Sequence, residues 1–413
     1  MSKIIIQNGN MCELDLPLKF AQKLYNEFAI RHPNAFYLRT RQRGMQNWDG
    51  KIHYITKTGQ FKIGLLPKVY DMCIEMGIKP KVVDMRQPLP KVSKVVTNIG
   101  KYKLRPEQEK AVKAVINNKI GNTPFHIGVL DYTVNAGKTL IMSSLYLSYK
   151  KQLKTLLITN DSDWLNQARE EFKQYLPGED ITFVQGKVLN WSNFTIGMVQ
   201  SISRNMRFYQ KELSQIDMVL IDEADQGGSK QYQNVITRLF NTRIRIGLSG
   251  TIYMSKLAKD RVKNMNLECF FGKVIAEFKL KDSIKKGYST KTVVKMVPGK
   301  PWYGNWESDC ISYKEIYDDS ITNCYTAWLM AYNRLLWNLN QGRYPALVVC
   351  KHIAHCENLY KFFKKKLGDA YNIAYVHVNT PSKLRQQIMK DFREGKIDIL
   401  VSTTIIARGK NFP

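Results

Sequence analysis

Two successive α/β domains behind a small α+β N-terminal segment are the architecture that this 413-residue chain predicts. Three observations predict it. From about Lys103 to Phe278, apolar runs of strand length alternate with helical patterns, the rhythm of a parallel sheet. A second alternation of the same kind runs from Ala346 to Ser402. Residues 1–95 follow neither rhythm, and the chain is too long for a single core. The boundaries expected are therefore 1–95 for a small α+β domain, 96–280 for the first α/β domain and 281–413 for the second.

In chain order, Leu16–Ile30 reads as an amphipathic helix, followed by short alternating stretches at Lys51–Ile55 and Phe61–Leu66 and a helix starting near Pro67. Gln87-Pro88-Leu89-Pro90-Lys91 has the composition of a linker. Strands are expected at 125–131, 155–159, 181–185, 195–199, 218–222 and 244–248, with helices at 138–150 and 161–175. In the second domain a helix at Ser320–Leu339 precedes strand Ala346–Cys350, helix Ala354–Leu367, strand Ile373–Val378, helix Ser382–Glu394 and strand Ile397–Ser402.

Two sites in the first domain carry chemistry. The apolar run Met218–Ile221 ends in Asp222-Glu223-Ala224-Asp225, and a buried strand ending in adjacent carboxylates suits nucleotide hydrolysis. Asp222 can hold Mg²⁺, and Glu223 can orient and deprotonate an attacking water. On their own these four residues are also an ordinary acidic turn. Upstream, Thr133-Val134-Asn135-Ala136-Gly137-Lys138-Thr139 lies between an expected strand and an expected helix, the context of a phosphate-binding loop. Gly137 lets the backbone close on phosphates, the helix N-terminus offers N–H groups, Lys138 reaches the β/γ-phosphates, and the Thr139 hydroxyl ligates Mg²⁺. Tyr132 stands where the full motif has its first Gly, and Asn135 where a second is common. ATP and Mg²⁺ are the substrate and cofactor expected.

Charge supplies the next constraint. Lys and Arg number 63 against 35 acids, giving +28, and the excess is spread over residues 1–100, 101–280 and 281–413 rather than held in a tail. A polyanion running across the whole molecule explains this, and nucleic acid is favoured over a membrane surface. No stretch reaches the length of a membrane span. Seven scattered cysteines without a Cys-x-x-Cys pair read as reduced thiols. His352 and His355 form no metal-ligand pattern and read as structural.

The order of motifs resembles that of superfamily 2 helicases, over about 310 residues. Leu104-Arg105-Pro106-Glu107-Gln108 resembles the adenine-recognition motif, implying an adenine contact for Gln108 and an ATP contact for Arg105. Thr133–Thr139 resembles motif I and Asp222–Asp225 motif II. Ser249-Gly250-Thr251 resembles motif III, which couples hydrolysis to domain movement. Thr155–Asn160 resembles motif Ia and Gly197–Ser201 motif Ib, implying nucleic-acid contacts for Thr159, Gln200 and Ser201. Ala346–His355 resembles motif IV. Val401–Thr404 through Arg408-Gly409 resembles motif V, implying a nucleic-acid contact for Thr403 and a nucleotide contact for Gly409. Two tandem RecA-like domains, with ATP bound between them, are what the resemblance implies.

Arg41–Lys51 with Gly64-Leu65-Leu66, Phe271–Ile275 and Ala346–His355 narrow the resemblance to the branched-DNA helicases of T-even phages. It implies a monomeric motor on forked or branched DNA, acting in recombination, repair and replication in the cytoplasm of an infected bacterium. Trp48 is either a DNA-facing aromatic or a packing anchor, and Trp302, Tyr303 and Trp306 either stack on bases or pack between domains. The arginine-finger motif that follows motif V in such helicases does not occur before Pro413, so the second domain is expected to be incomplete at its C-terminus. The literal Asp-Glu-Ala-Asp suggests an RNA helicase as an alternative, although Ser-Gly-Thr and Arg105-Pro106 are more like DNA translocases. A non-hydrolysing nucleic-acid clamp is a second alternative, motivated by Tyr132 and the missing finger. A restriction-enzyme motor subunit is a third, without an evident nuclease constellation.

Overall fold

The computed structural model describes residues 2–41, 44–149, 152–188, 190–252, 260–291, 293–294, 296 and 312–406. The chain forms two compact units, Met1–Lys291 and Thr292–Pro413. Thus the 1–95 segment expected to stand as its own domain shares a unit with the first α/β domain, and the division falls after Lys291 rather than at 280.

The first unit contains two main sheets. Strands Lys3–Ile6 (β1), Met11–Asp15 (β2), Gln60–Lys62 (β3) and Lys81–Asp84 (β4) form a mixed sheet in the order β3-β2-β1-β4. Helices Leu18–Glu27 and Leu66–Glu75 belong to the same segment. The helix expected to reach Ile30 ends at Glu27, because Ala29–Arg31 instead pairs antiparallel with Lys51–His53.

The larger sheet has seven strands. They are His126–Tyr132 (β5), Thr155–Thr159 (β6), Ile181–Val184 (β7), Phe194–Met198 (β8), Met218–Asp222 (β9), Ile244–Ser249 (β10) and Val274–Phe278 (β11). The order is β7-β8-β6-β9-β10-β5-β11, and every pairing is parallel. Six of these strands match the sequence expectation to within a residue at the start, while β11 was not anticipated. Every residue of β5, β6, β9 and β10 is buried, which is why they read as continuous apolar runs.

Alternation along these strands explains why the N-terminal segment is not a separate body. Ile127, Val129, Leu156, Ile158, Val219 and Ile221 face one side and share a core with Ile4, Ile6, Phe61, Leu65 and Val69. Leu130, Leu157, Leu220, Ile244, Ile246 and Leu248 face the other side and pack with Val112, Met142, Leu145 and Phe172 from the helices there. Removing the first 95 residues would strip one face of the sheet.

Arg245 pins the two parts together. Its side chain is fully buried in β10, donating to Gly9 O at 2.6 Å, Asn10 Oδ1 at 2.8 Å and Phe270 O at 3.2 Å. Burial draws the guanidinium pKa down to about 9, still protonated at neutral pH. The contact joins the β1–β2 turn to the large sheet across 236 residues of sequence.

The second unit has three parallel strands, Ala346–Cys350 (β12), Ile373–Val376 (β13) and Ile399–Thr403 (β14), in the order β12-β14-β13. Helices Tyr325–Leu339, Ile353–Leu367 and Ser382–Arg393 accompany them. Leu335, Leu339, Leu359, Phe363, Ile399 and Val401 form its main core. The single helix expected over 320–339 is interrupted at Asn323, with helical turns at Tyr313–Tyr317 and Asp318–Thr322 before it. The expected second-domain tryptophans, Trp302 and Trp306, and Tyr303 lie outside the described residues.

Replacing Arg245 by Ala would leave three buried acceptors without their donor. The expected outcome in urea unfolding followed by tryptophan fluorescence is a loss of about 2–4 kcal/mol. A midpoint equal to wild type would show that the N-terminal segment is held without this contact.

Candidate nucleotide and nucleic-acid site

β5 and β9 flank β10 in the sheet, so their three carboxyl ends lie side by side, where ligands bind in open parallel sheets. The residues singled out in motifs I, II and III are the ones that follow these ends.

After β5 the chain turns through Thr133–Gly137 into helix Lys138–Ser148. Asn135 has φ +63° and Gly137 φ +72°, both left-handed. Asparagine is the non-glycine residue that tolerates this region best, which accounts for Asn135 in a glycine-favouring position. Tyr132, where the motif has its first Gly, is fully buried and donates its hydroxyl to Glu107 O at 2.7 Å. It is a core residue beneath the loop and does not intrude on it. Ala136 is buried, Thr133 nearly so, and Thr139 is half-buried as the second residue of the helix.

Lys138 is the centre of the site. Its Nζ lies 3.5 Å from Asp222 Oδ1 and 3.8 Å from Glu223 Oε1. Asp222 is 3% exposed, and its Oδ1 has no hydrogen-bond partner. Burial pushes the Asp222 carboxyl above the usual carboxylate range, with the Lys138 ammonium pulling the other way. Glu223 is raised for the same leading reason, opposed by Lys138 and reinforced by the negative neighbours Asp222 and Asp225. Glu223 also sits at φ +52°, a left-handed conformation that is strained for a residue of its size.

Motif III closes the far side. The Ser249 hydroxyl donates to Asp225 Oδ1 at 3.2 Å, and the Thr251 N–H donates to Ser249 Oγ at 3.2 Å. A Cβ on Gly250 would come within 3.1 Å of Thr133 Cα and Tyr132 O, so glycine lets this turn approach the phosphate loop without displacing its backbone. Asp225, given no role from sequence, is therefore the link between motifs II and III. The third acid of the tetrad was its visible signal.

Gln108 departs from expectation. Its side chain is fully buried, with Oε1 accepting from the Arg105 N–H at 2.8 Å and Nε2 donating to Ala136 O at 2.9 Å. Both ends are thus used inside the protein, and the side chain braces the phosphate loop in place of presenting an adenine-pairing edge. Arg105 is half-exposed, and its guanidinium lies 4.2 Å from the Tyr288 ring centroid. No sequence signal pointed to Tyr288.

The expected nucleic-acid contacts divide. Thr159 is 1% exposed and its hydroxyl accepts from the Asp161 N–H at 3.2 Å, so its side chain shapes the end of β6 and is not a surface contact. Thr403 is likewise buried, at the end of β14. Gln200 and Ser201 are half-exposed on helix Val199–Arg204. Gln200 Nε2 donates to Asn160 O at 3.2 Å, tying motif Ib to motif Ia, and Ser201 Oγ accepts from the Gly186 N–H at 3.1 Å. Trp48 is half-buried, edge-on to His32, with Nε1 donating to Lys51 O at 2.9 Å. These two contacts fix the ring's orientation and leave it half-exposed. Gly409 lies outside the described residues.

A divalent cation fits the donors present. Asp222 offers a buried carboxylate oxygen that lacks a hydrogen-bond partner, and Thr139 a hydroxyl. All-oxygen donors with few protein ligands suit Mg²⁺, which takes its remaining ligands from phosphates and water.

Comparison with known proteins agrees with this geometry. The family model described as the type III restriction enzyme, res subunit, matches residues 101–254, and that of the helicase conserved C-terminal domain matches residues 329–413. Both domains are those of a superfamily 2 helicase. The UvsW helicase of bacteriophage T4 has the same fold. One structure of it covers 67% of this chain and 99% of that chain, with TM-score 0.53 and 20% identity. A second covers 100% of this chain and 82% of that chain, with TM-score 0.52 and 20% identity. Among curated proteins, the ATP-dependent RNA helicase RhlB of Shewanella woodyi is 36% identical over 78 residues, 18% of this chain and 17% of its own length. The ATP-dependent RNA helicase CHR1 of Candida albicans is 23% identical over 207 residues, 49% of this chain and 29% of its own length. The chain thus spans less than a third of either curated relative.

With folded-state pKa values above the ordinary carboxylate range, Asp222 and Glu223 hold more protons folded than unfolded in the window between the two values. Their contribution to stability therefore falls as pH rises through that window, and at neutral pH the ionised pair is a cost to the fold. Asp222→Asn removes that cost while Glu223 still faces Lys138. The expected result is a nucleotide-free melting temperature higher by roughly 2–4 °C, measured by calorimetry. A lower value would mean that the Lys138 pair stabilises the fold outright.

Proposed function

We propose that this protein is an ATP-driven DNA motor that remodels forked or branched DNA in recombination and repair, in the cytoplasm of a phage-infected bacterium. The observation that carries the proposal is Lys138 held 3.5 and 3.8 Å from two adjacent carboxylates at the mouth of a left-handed phosphate loop. Lys138 holds the β- and γ-phosphates, and the N–H groups of Gly137–Thr139 face the same charge. Asp222 and Thr139 would hold Mg²⁺, which would supply positive charge against the phosphates. Glu223, its carboxyl raised by burial, accepts the proton of the attacking water. Asp225, Ser249 and Thr251 carry a change at motif II to the end of β10. Gln108 reads the position of the loop through Ala136 O, and Arg105 with Tyr288 offers a flat surface of the kind a purine stacks on.

DNA as the substrate rests on the motif resemblance, the shared fold with UvsW and the net charge of +28. RNA is the second reading, favoured by the curated relatives, which are named as RNA helicases. ATP hydrolysis measured with forked DNA, linear duplex and structured RNA separates them, and forked DNA is expected to stimulate most. Greatest stimulation by RNA would overturn the DNA assignment. Turnover that no nucleic acid raises would favour a binding clamp. In the same assay Glu223→Gln is expected to lower turnover by about 10²- to 10⁴-fold while leaving nucleotide binding intact. Unchanged turnover would remove Glu223 as the base.

A further inference from the structure

Beyond motif Ib the first unit carries a basic, aromatic-walled cavity that none of the motifs accounts for. It encloses about 490 Å³ and is lined by Arg204, Arg207, Phe208, Gln210, Arg238 and their neighbours Ser203 and Met206. No acidic side chain is among those lining residues, and among the described residues none of the three arginines has an ion pair. All three are exposed, as is Phe208 at 56%, with Lys187 Nζ 3.9 Å from the centre of its ring.

The cavity is built on a fixed frame. Next to Phe208, Tyr209 is fully buried; its hydroxyl donates to Gly186 O at 3.0 Å and accepts from the Val188 N–H at 2.9 Å. Asn205 Nδ2 donates to Ser201 O at 2.9 Å and to Gly186 O at 3.3 Å. The segment that carries Lys187 is therefore tied to the segment that carries Phe208. Ser201, a motif Ib residue, belongs to the same network through the Gly186 N–H.

Position along the helix supplies the direction. Ser201 and Arg204 are three residues apart in helix Val199–Arg204, hence neighbours on one face and about 4.5 Å apart along the axis. That is within the span of one nucleotide of backbone. Four unopposed cations around an exposed aromatic ring match what an unpaired strand requires: cations for its phosphates and a π-face for a base. A duplex, whose bases are already stacked, has no use for the ring.

We propose that this cavity is a single-strand subsite that continues the strand path from motif Ib, with Arg204, Arg207 and Arg238 on phosphates and Phe208 stacked on an unpaired base. The inference rests on the nucleic-acid reading above. Its test is binding of a labelled oligothymidylate, and of a blunt duplex of equal length, to the full chain across a salt series by fluorescence anisotropy. Phe208→Ala is expected to weaken oligothymidylate binding by roughly 5- to 100-fold while changing duplex binding little. Arg207→Gln with Arg238→Gln is expected to reduce the single-strand salt slope by about one to two units. These arginines are exposed, so the double variant serves if Phe208→Ala proves unstable. Variants that bind oligothymidylate with wild-type affinity and slope would overturn the subsite. Wild-type protein that binds neither probe at low salt would overturn the nucleic-acid reading itself.

Discussion

The mutual placement of Lys138 and the Asp222–Glu223 pair is the constraint on which the rest of the site depends. An ammonium and two carboxylates meet at the ends of two buried strands, where the ammonium offsets part of the cost of burying the two acids side by side. The geometry is not a tight ion pair. At 3.5 and 3.8 Å the ammonium balances the acids without saturating them, and Asp222 Oδ1 has no hydrogen bond of its own. An arrangement that is costly alone and relieved by a phosphate and a cation is poised for ligand binding.

Around this centre, backbone rather than side chains does most of the positioning. Left-handed residues at 135 and 137 form the loop, and Gly250 lets motif III approach the backbone of Tyr132 and Thr133. Gln108 braces the loop from below and the Ser249–Asp225 hydrogen bond closes it from the side. Displacement of the loop therefore has a direct route to both the helix start at Pro106 and the end of β10. On the opposite face of the sheet, the N-terminal segment completes the core, with Arg245 as its buried tie.

Much of this was legible in the sequence, for identifiable reasons. Strands buried on both faces read as apolar runs, so β5, β6, β9 and β10 could be placed closely, and with them the residues at their ends. The union of residues 1–95 with the first α/β domain could not be read, because it depends on which face of each strand meets which partner over long sequence separations. Thr159 and Gln108 illustrate a related limit. The motif resemblance identified both as functional positions, but whether a hydroxyl or amide faces solvent or a nearby backbone group is decided by tertiary packing. Tyr132 and Asn135, which looked like defects of the loop, are explained by a hydroxyl donated to Glu107 O and by a tolerated left-handed turn.

The account's central claim is that Lys138 and its two carboxylates form a site for a nucleotide's phosphates. The most direct measurement is the shift in melting temperature on adding saturating Mg·ATP to wild-type protein and to Lys138→Ala. Ligand that binds only the folded state stabilises it by about 2.7 kcal/mol at a hundredfold excess over Kd. The account predicts an upward shift for wild type that is lost, or reduced to a small fraction, in Lys138→Ala. An equal shift in the two proteins would contradict it.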